Sequence, residues 1–157
     1  MGMILLEGSM EHMSLLLGGS VFNNIFYRLM GASVGKNAYI EGRALEYDLL
    51  SVGEGATVGR ETYPQCHTVE RLVIRNAPVT LESSATMRSR SVIMPGATLS
   101  KGSCLQEFSL LLKGEVTGTN EVWWGNPASR RPPGVYSSFD LNLKDEQCVS
   151  FSSLELI

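Results

Sequence analysis

The chain has 157 residues, 43% of them hydrophobic and 18% charged, with a net charge of −3. This length suits one domain with a sizeable core. The sparse, slightly acidic charge indicates no nucleic-acid surface, and without a run of about 18 apolar residues the sequence predicts no membrane-spanning segment.

The first predicted element lies in an N-terminal segment, residues 1–33. The segment opens with an apolar run that is too short, and lacks the basic region, for a secretory signal. Apolar residues then recur at the spacing of one helical stripe: Phe22, Ile25, Phe26, Leu29 and Met30. This spacing predicts an amphipathic helix over residues 20–31, capped by Ser20. We expect it to cover the first strand edge of the repeats that follow. A membrane-surface helix is the alternative, supported only by Arg28.

From residue 34 the sequence repeats every six residues, with an apolar residue in front and a small residue four places later. The apolar positions of the first run are Val34, Ile40, Val52 and Val58. Glu46 is the one misfit in this column. We expect Leu49 and Leu50 to take its place through a local bulge.

The second run, residues 81–115, keeps the same stride. Its apolar positions are Leu81, Met87, Ile93, Leu99, Leu105 and Leu111. A six-residue period is a multiple of the two-residue period of a strand, so this column stays on one side of a strand. It is not a multiple of the 3.6-residue period of a helix, where the same residues would be spread around the whole circumference. Such a period is typical of a parallel β-helix. An antiparallel meander is the alternative, although it has no reason to keep a six-residue stride.

Residues 63–80 interrupt the repeat, and we expect them to leave the β-helix as a loop. Loops on a rigid scaffold often carry functional residues. This loop contains His67, whose imidazole titrates near neutral pH and could act as a general base. A solvated loop histidine is the alternative interpretation.

The chain leaves the repeat after Glu115 through TGTNEVWWGNPASRRPPG, where Pro132 and Pro133 end regular structure. The predicted organisation is therefore an N-terminal segment over 1–33, a β-helix domain over 34–131 with the loop 63–80, and a C-terminal tail over 132–157. The tail either packs back on the β-helix or begins a linker.

Three cysteines, Cys66, Cys104 and Cys148, are an odd number without CxxC spacing. We expect Cys104 to be a packed thiol rather than part of a bridge. This usage favours a reducing compartment, and hence a cytoplasmic location.

The hexads, the loop histidine and the closing WWGNPASR together resemble the left-handed β-helix acyltransferases of the hexapeptide-repeat superfamily, over about residues 20–131. The resemblance implies an all-β, left-handed parallel β-helix of the trimeric LpxA-like type with a short capping α-helix. It also implies transfer of an acyl or aminoacyl group from a thioester of coenzyme A, or of a carrier protein's phosphopantetheine, to a hydroxyl or amine of a small molecule. The same resemblance implies a homotrimer, or a pseudo-trimer with sister domains. It implies no metal ion.

The resemblance further implies His67 as the catalytic base and a set of residues for the donor. These cofactor-binding residues are Lys113, Trp124, Gly125, Asn126, Pro127, Ala128, Arg130 and Arg131. The two arginines suit the phosphates at the nucleotide end of coenzyme A, and a solvated pair at the domain edge is the alternative. Trp124 either stacks on the adenine or, like Trp123, covers the open end of the β-helix.

A narrower resemblance links residues 19–42, 46–59 and 108–115 to the C-terminal β-helix domains of poly-amino-acid and nonribosomal-peptide-synthetase-like enzymes. In those proteins the domain follows an adenylation and a carrier domain. This sequence departs from the pattern at Glu82 and Arg88, where the subgroup usually has Gly. It also contains no adenylation or carrier segment, so both a free-standing relative and a piece of a longer protein are expected alternatives.

Two other classes of function could use the same fold. A γ-type carbonic anhydrase uses the same fold with three histidines on zinc, and two histidines, His12 and His67, cannot build that site. A non-catalytic scaffold or docking domain of a larger synthetase assembly stays open.

Overall fold

The computed structural model describes residues 17–130, which form a parallel β-helix preceded by helix α1, Val21–Leu29. A turn of 3-10 helix lies at Tyr47–Leu49. The strands are β1 (Ser33–Val34), β2 (Tyr39–Ile40), β3 (Leu50–Val52), β4 (Thr57–Val58), β5 (Tyr63–Pro64), β6 (His67–Glu70), β7 (Val73–Asn76), β8 (Val79–Leu81), β9 (Thr86–Met87), β10 (Val92–Ile93), β11 (Thr98–Leu99), β12 (Cys104–Leu105), β13 (Leu110–Leu111), β14 (Val122–Trp124) and β15 (Ser129–Arg130).

The parallel strands stack into three flat faces. Face A joins β1, β3, β8 and β11, face B joins β2, β4, β9, β12 and β14, and face C joins β5, β10 and β13. Paired residues of successive coils differ by 18 positions wherever no insertion lies between them, as in Ile40 with Val58 and Ile93 with Leu111. Three hexads thus make one coil, and the predicted six-residue stride is confirmed. We number the coils 1 (33–49), 2 (50–78), 3 (79–97) and 4 (98–115).

The interior is filled by the apolar column that the repeat predicts. Its buried members are Ile40, Val52, Val58, Leu81, Met87, Ile93, Leu99, Leu105 and Leu111. Full burial of one such side chain contributes about 1.5–3 kcal/mol, so this column is the main core. Val34 is only partly buried, because it lies in the first coil and, among residues 17–130, no other coil stacks above it.

Coil 1 has no strand on face C. Where the column has Glu46, the chain turns into the 3-10 helix, and Leu50 is buried in register with Val79 of the coil below. Leu49 and Leu50 therefore do not take the place of Glu46 through a bulge as expected, since Leu50 belongs to β3 on face A and Leu49 is only partly buried. Face C is therefore open at this end.

Helix α1 does cover the first strand edge, but with its polar side. Asn23 Nδ2 donates to the carbonyl oxygen of Ile40 at 2.7 Å, and Tyr27 Oη donates to that of Gly42 at 3.0 Å. The predicted apolar stripe points largely outward: the exposed members are Phe22, Ile25, Leu29 and Met30. The apolar stripe therefore does not make the contact with the first strand edge. An open strand edge presents unpaired carbonyls, and only polar side chains can satisfy them.

The predicted loop is an antiparallel hairpin made of β6 and β7, which we call the hairpin. It is narrower than residues 63–80, because Tyr63–Pro64 and Val79–Leu81 belong to faces C and A. The hydrogen bond from Ala77 N to Cys66 O, at 2.9 Å, closes its base.

Cys66 is a buried free thiol, whereas Cys104 is disulfide-bonded, so the expectation of a packed thiol at Cys104 is wrong. A disulfide at Cys104 does not favour a reducing compartment. No helix within residues 17–130 has the length and apolar character needed to cross a bilayer. The predicted tail 132–157 lies outside the described residues.

Candidate functional site

A cleft of about 290 Å³ opens between coil 1, face C and the base of the hairpin. Its lining includes Arg43, Leu45, Glu46, Tyr63, His67 and Val92. The missing strand of coil 1 creates this opening. The cleft therefore arises at the one place where the repeat fails before the hairpin.

His67 is the first residue of β6 and lies in this cleft. Its Nδ1 is 2.6 Å from Oε1 of Glu46, and both side chains are partly buried. Apart from this contact, Nδ1 has no hydrogen-bond partner in the part of the chain that the structure describes. A carboxylate beside Nδ1 favours a proton on that nitrogen, which leaves Nε2 to accept one from another molecule.

Glu46 is a further candidate for the site that the sequence analysis does not name as one. The sequence feature that could have identified it is its position as the single polar residue in an apolar column. Pro64 stands 18 positions later on face C and is buried, so the equivalent slot in coil 1 would bury a carboxylate. The 3-10 helix instead carries Glu46 out to the cleft, because an unpaired buried charge is costly.

Cys66 does not act as the nucleophile of this site. Its side chain is fully buried, and its Sγ points toward the carbonyl oxygen of Leu49 at 3.7 Å. Burial, followed by the charge of Glu46, raises the pKa of the Cys66 thiol to about 11. A thiol that stays protonated at neutral pH is a poor nucleophile.

The outer surface of face C is an apolar strip that starts at the cleft. Tyr63, Val92 and Leu110 lie in register on successive strands. Face A differs, since Ser33, Ser51 and Thr80 line a hollow of about 320 Å³ there. Face C is thus suited to an apolar chain that runs along the coils.

The closing motif lies at the far end of this strip. Ala128 N donates to the carbonyl oxygen of Leu110 at 2.7 Å, and Leu110 N donates to that of Gly125 at 2.9 Å. Gly125 N also donates to Ser109 Oγ at 3.0 Å. Tyr63 lies three strand spacings from the motif along the axis of the β-helix, or about 14 Å.

The structure separates the other predicted site residues. Lys113 Nζ bonds Oε1 of Glu70 on the hairpin. Arg130 Nε lies 3.0 Å from Oε1 of Glu121.

Glu121 also accepts a hydrogen bond from Trp123 Nε1 at 3.0 Å. That bond, together with the backbone N–H of Gly118 and the charge of Arg130, lowers the pKa of the Glu121 carboxyl. Trp123 packs against the core, which fits a cover for the open end, and Trp124 is half exposed.

Asn126 and Pro127 lie in the turn between β14 and β15. Arg131 is outside the described residues. Within residues 17–130, no cluster of three or more His, Cys, Asp or Glu side chains could hold a metal ion.

Comparison with known proteins gives one sequence relative and several structures. No family model matches the chain. Over 113 residues it is 28% identical to a delta-poly-L-ornithine synthetase of Acinetobacter baumannii (strain AB307-0294), a match that covers 71% of this chain and 8% of the relative. The chain thus spans only a small part of that relative.

Two solved structures show the same architecture. One is a hexapeptide-repeat acetyltransferase of Vibrio cholerae O1 biovar eltor complexed with acetyl coenzyme A, with a TM-score of 0.61, 12% identity, and coverage of 78% of this chain and 83% of that one. The other is a galactoside acetyltransferase in complex with coenzyme A, with a TM-score of 0.56, 17% identity, and coverage of 69% and 68%. The likeness shows the left-handed parallel β-helix fold of the hexapeptide-repeat type, as the family resemblance implies.

Proposed function

We propose that the chain is an acyltransferase that moves an acyl or aminoacyl group from a phosphopantetheine thioester to a hydroxyl or amine. The observation that carries the proposal is the apolar strip of face C. It joins a base, His67, to the closing motif around Gly125 and Ala128. A pantetheine arm, which is long and largely apolar, fits such a strip.

In the proposed reaction, Nε2 of His67 takes the proton from the acceptor as its oxygen or nitrogen attacks the thioester carbonyl. Glu46 holds the imidazole in orientation and stabilises its positive charge. The C–S bond then breaks, a new C–O or C–N bond remains, and the proton on His67 passes to the departing thiolate. Proton transfer of this kind typically contributes about 10²–10⁴-fold.

The donor is proposed to lie with its nucleotide or carrier end at the closing motif and its thioester near Tyr63. Gly125, Asn126, Pro127 and Ala128 form the turn at that end. Trp124, beside this turn, is half exposed. The contact with Glu121 makes Arg130 a weaker candidate for phosphate than its sequence position implies, because that guanidinium is already paired. The cofactor is then coenzyme A or a carrier's phosphopantetheine.

Assembly as a homotrimer, or as a pseudo-trimer with sister domains, belongs to the same proposal. The neighbouring proteins are acetyltransferases described with coenzyme A or acetyl coenzyme A, and this supports the coenzyme as donor. The relative named for poly-L-ornithine synthesis supports an aminoacyl group instead of an acetyl group.

The test measures thiol release from acetyl coenzyme A and from an aminoacylated carrier protein, each with a panel of amines and alcohols. We expect acceptor-dependent thiol release with one of the two donors. A protein that binds neither donor and releases no thiol with either would be a scaffold, and the proposal would fail.

A further inference from the structure

The outer surface of face B is covered in its middle, unlike that of the other two faces. Cys104 and Thr86 pair in register on this face. Both point outward, because their neighbours Leu105 and Met87 fill the core. Cys104 is nevertheless fully buried, and Thr86 is only 9% exposed. In the described strands of faces A and C, the outward residues are all at least partly exposed.

Two threonines of this covered row have hydroxyl groups without a partner. Oγ1 of Thr86, and Oγ1 of Thr57 on the preceding coil, are buried and make no hydrogen bond among residues 17–130. A buried hydroxyl without a partner costs free energy, so such groups normally face a donor or an acceptor. A segment of chain laid over face B could supply backbone groups to both.

The cysteines identify that segment. Cys104 is disulfide-bonded, whereas Cys66 is a free thiol, and the chain has one further cysteine, Cys148. Gln106 Nε2 lies 3.8 Å from the sulfur of Cys104 on one side, and the bonded sulfur must occupy another. The partner is therefore Cys148 or a cysteine of a second copy.

The length of the chain after the β-helix favours Cys148. Arg130 lies on β15, which is two strands from β12 and hence about 10 Å from it. Cys148 follows Arg130 by 18 residues, which can extend to about 60 Å. The segment can thus cross face B and return to Cys104. A bond within one chain also needs no encounter between two molecules.

We propose that residues 132–157 form a strap over face B, held by a disulfide between Cys148 and Cys104. The bond closes a ring of the chain, residues 104–148, that contains the whole closing motif. In the oxidised protein face B is closed to other proteins, and reduction opens it. Oxidation by glutathione disulfide balances as follows: the two thiols lose two electrons and form the S–S bond, and two glutathione molecules leave with the two protons.

The first arm of the test maps the bond in the parent chain after oxidation by glutathione disulfide. Trypsin places each cysteine on its own peptide: Cys66 on 61–71, Cys104 on 102–113 and Cys148 on 145–157. Free thiols are blocked with iodoacetamide in denaturant, and the unreduced digest is analysed by mass spectrometry. We expect 102–113 joined to 145–157, 61–71 blocked, and a monomer on a denaturing gel without reductant. A disulfide-linked dimer, or peptide 102–113 blocked or joined to anything else, would overturn the proposal.

The second arm tests whether the strap lies on face B. Thr86→Lys places a charge under the strap, and Thr80→Lys places one at the equivalent outward position of face A. The measured quantity is the equilibrium constant of the Cys104–Cys148 bond against glutathione. It should fall about tenfold or more in Thr86→Lys, because a covered charge is costly, and stay within about twofold of the parent in Thr80→Lys. Equal constants in the parent and Thr86→Lys would show that face B is open, and would refute the strap even if the bond were mapped.

Discussion

Glu46 Oε1 lies 2.6 Å from Nδ1 of His67, across a gap that exists because coil 1 has no strand on face C. This contact fixes the ring with Nε2 toward the cleft. Glu46→Gln should therefore lower kcat roughly tenfold, a fraction of the 10²–10⁴ that proton transfer contributes, with little change in the KM of the donor. Steady-state kinetics on the thioester substrate provide the measurement. Glu54→Gln, an exposed carboxylate outside the cleft, is the matched control, and an equal loss of kcat in both variants would contradict the pairing.

His67 itself should be needed for the chemical step and not for the fold. His67→Ala should reduce kcat by about 10²-fold or more and leave donor affinity and melting temperature nearly constant, because the ring lies at the cleft surface. Arg130→Ala should raise the Kd of coenzyme A only slightly, since this guanidinium is already paired with Glu121. Unchanged turnover in His67→Ala on a verified substrate would refute the general base.

The side to which each residue of a coil points can be tested on β10. Ile93 is fully buried and Val92 beside it faces outward. Ile93→Asp should lower the free energy of unfolding by about 4 kcal/mol or more, because an unpaired charge enters the core. Val92→Asp should cost less than about 1 kcal/mol. Similar denaturation midpoints for the two variants would show that the register is wrong.

Helix α1 should be sensitive on its polar side. Tyr27→Phe keeps the ring but removes the hydrogen bond to Gly42, and an unsatisfied buried carbonyl costs about 1–3 kcal/mol. Phe22 is 70% exposed, so Phe22→Ser should change stability by less than about 0.5 kcal/mol. Thermal melting of both variants provides the comparison, and a larger loss from Phe22→Ser would favour the orientation that the apolar stripe predicts.

Cys66 should make stability fall at alkaline pH. Its thiol has a pKa raised from 9.0 to about 11 in the folded protein, chiefly by burial. In the unfolded chain the thiol loses its proton near pH 9, so the contribution is complete below that pH and declines as pH rises toward 11. Melting curves from pH 8 to 11 should therefore fall more steeply for the parent than for Cys66→Ala. Parallel curves would show that the thiol ionises equally in both states.

The sequence predicted the β-helix because each coil repeats one physical requirement, an apolar residue inward every six positions. The apolar column from Leu81 to Leu111, one residue in every six, could be assigned to the core in this way without any knowledge of contacts. The pairing of Glu46 with His67 could not be predicted in this way. It joins two places where the repeat is interrupted, and the local sequence does not indicate that these two places lie close together in the fold. The sequence also could not predict which side of α1 faces the coils. Helical periodicity records where the apolar residues are, but not that an open strand edge requires donors such as Tyr27.

The hairpin leaves the register of the coils unchanged. Val52 pairs with Leu81, and Val58 pairs with Met87, so the partners differ by 29 positions there instead of 18, and the 18-residue offset resumes below. Because the bond between Ala77 N and Cys66 O closes the insertion at its base, the coils on either side need not sense its length or sequence. We therefore expect the segment between these two residues to be replaceable by other sequences. We expect hairpins of other lengths, grafted between these two residues, to leave the coils unaltered.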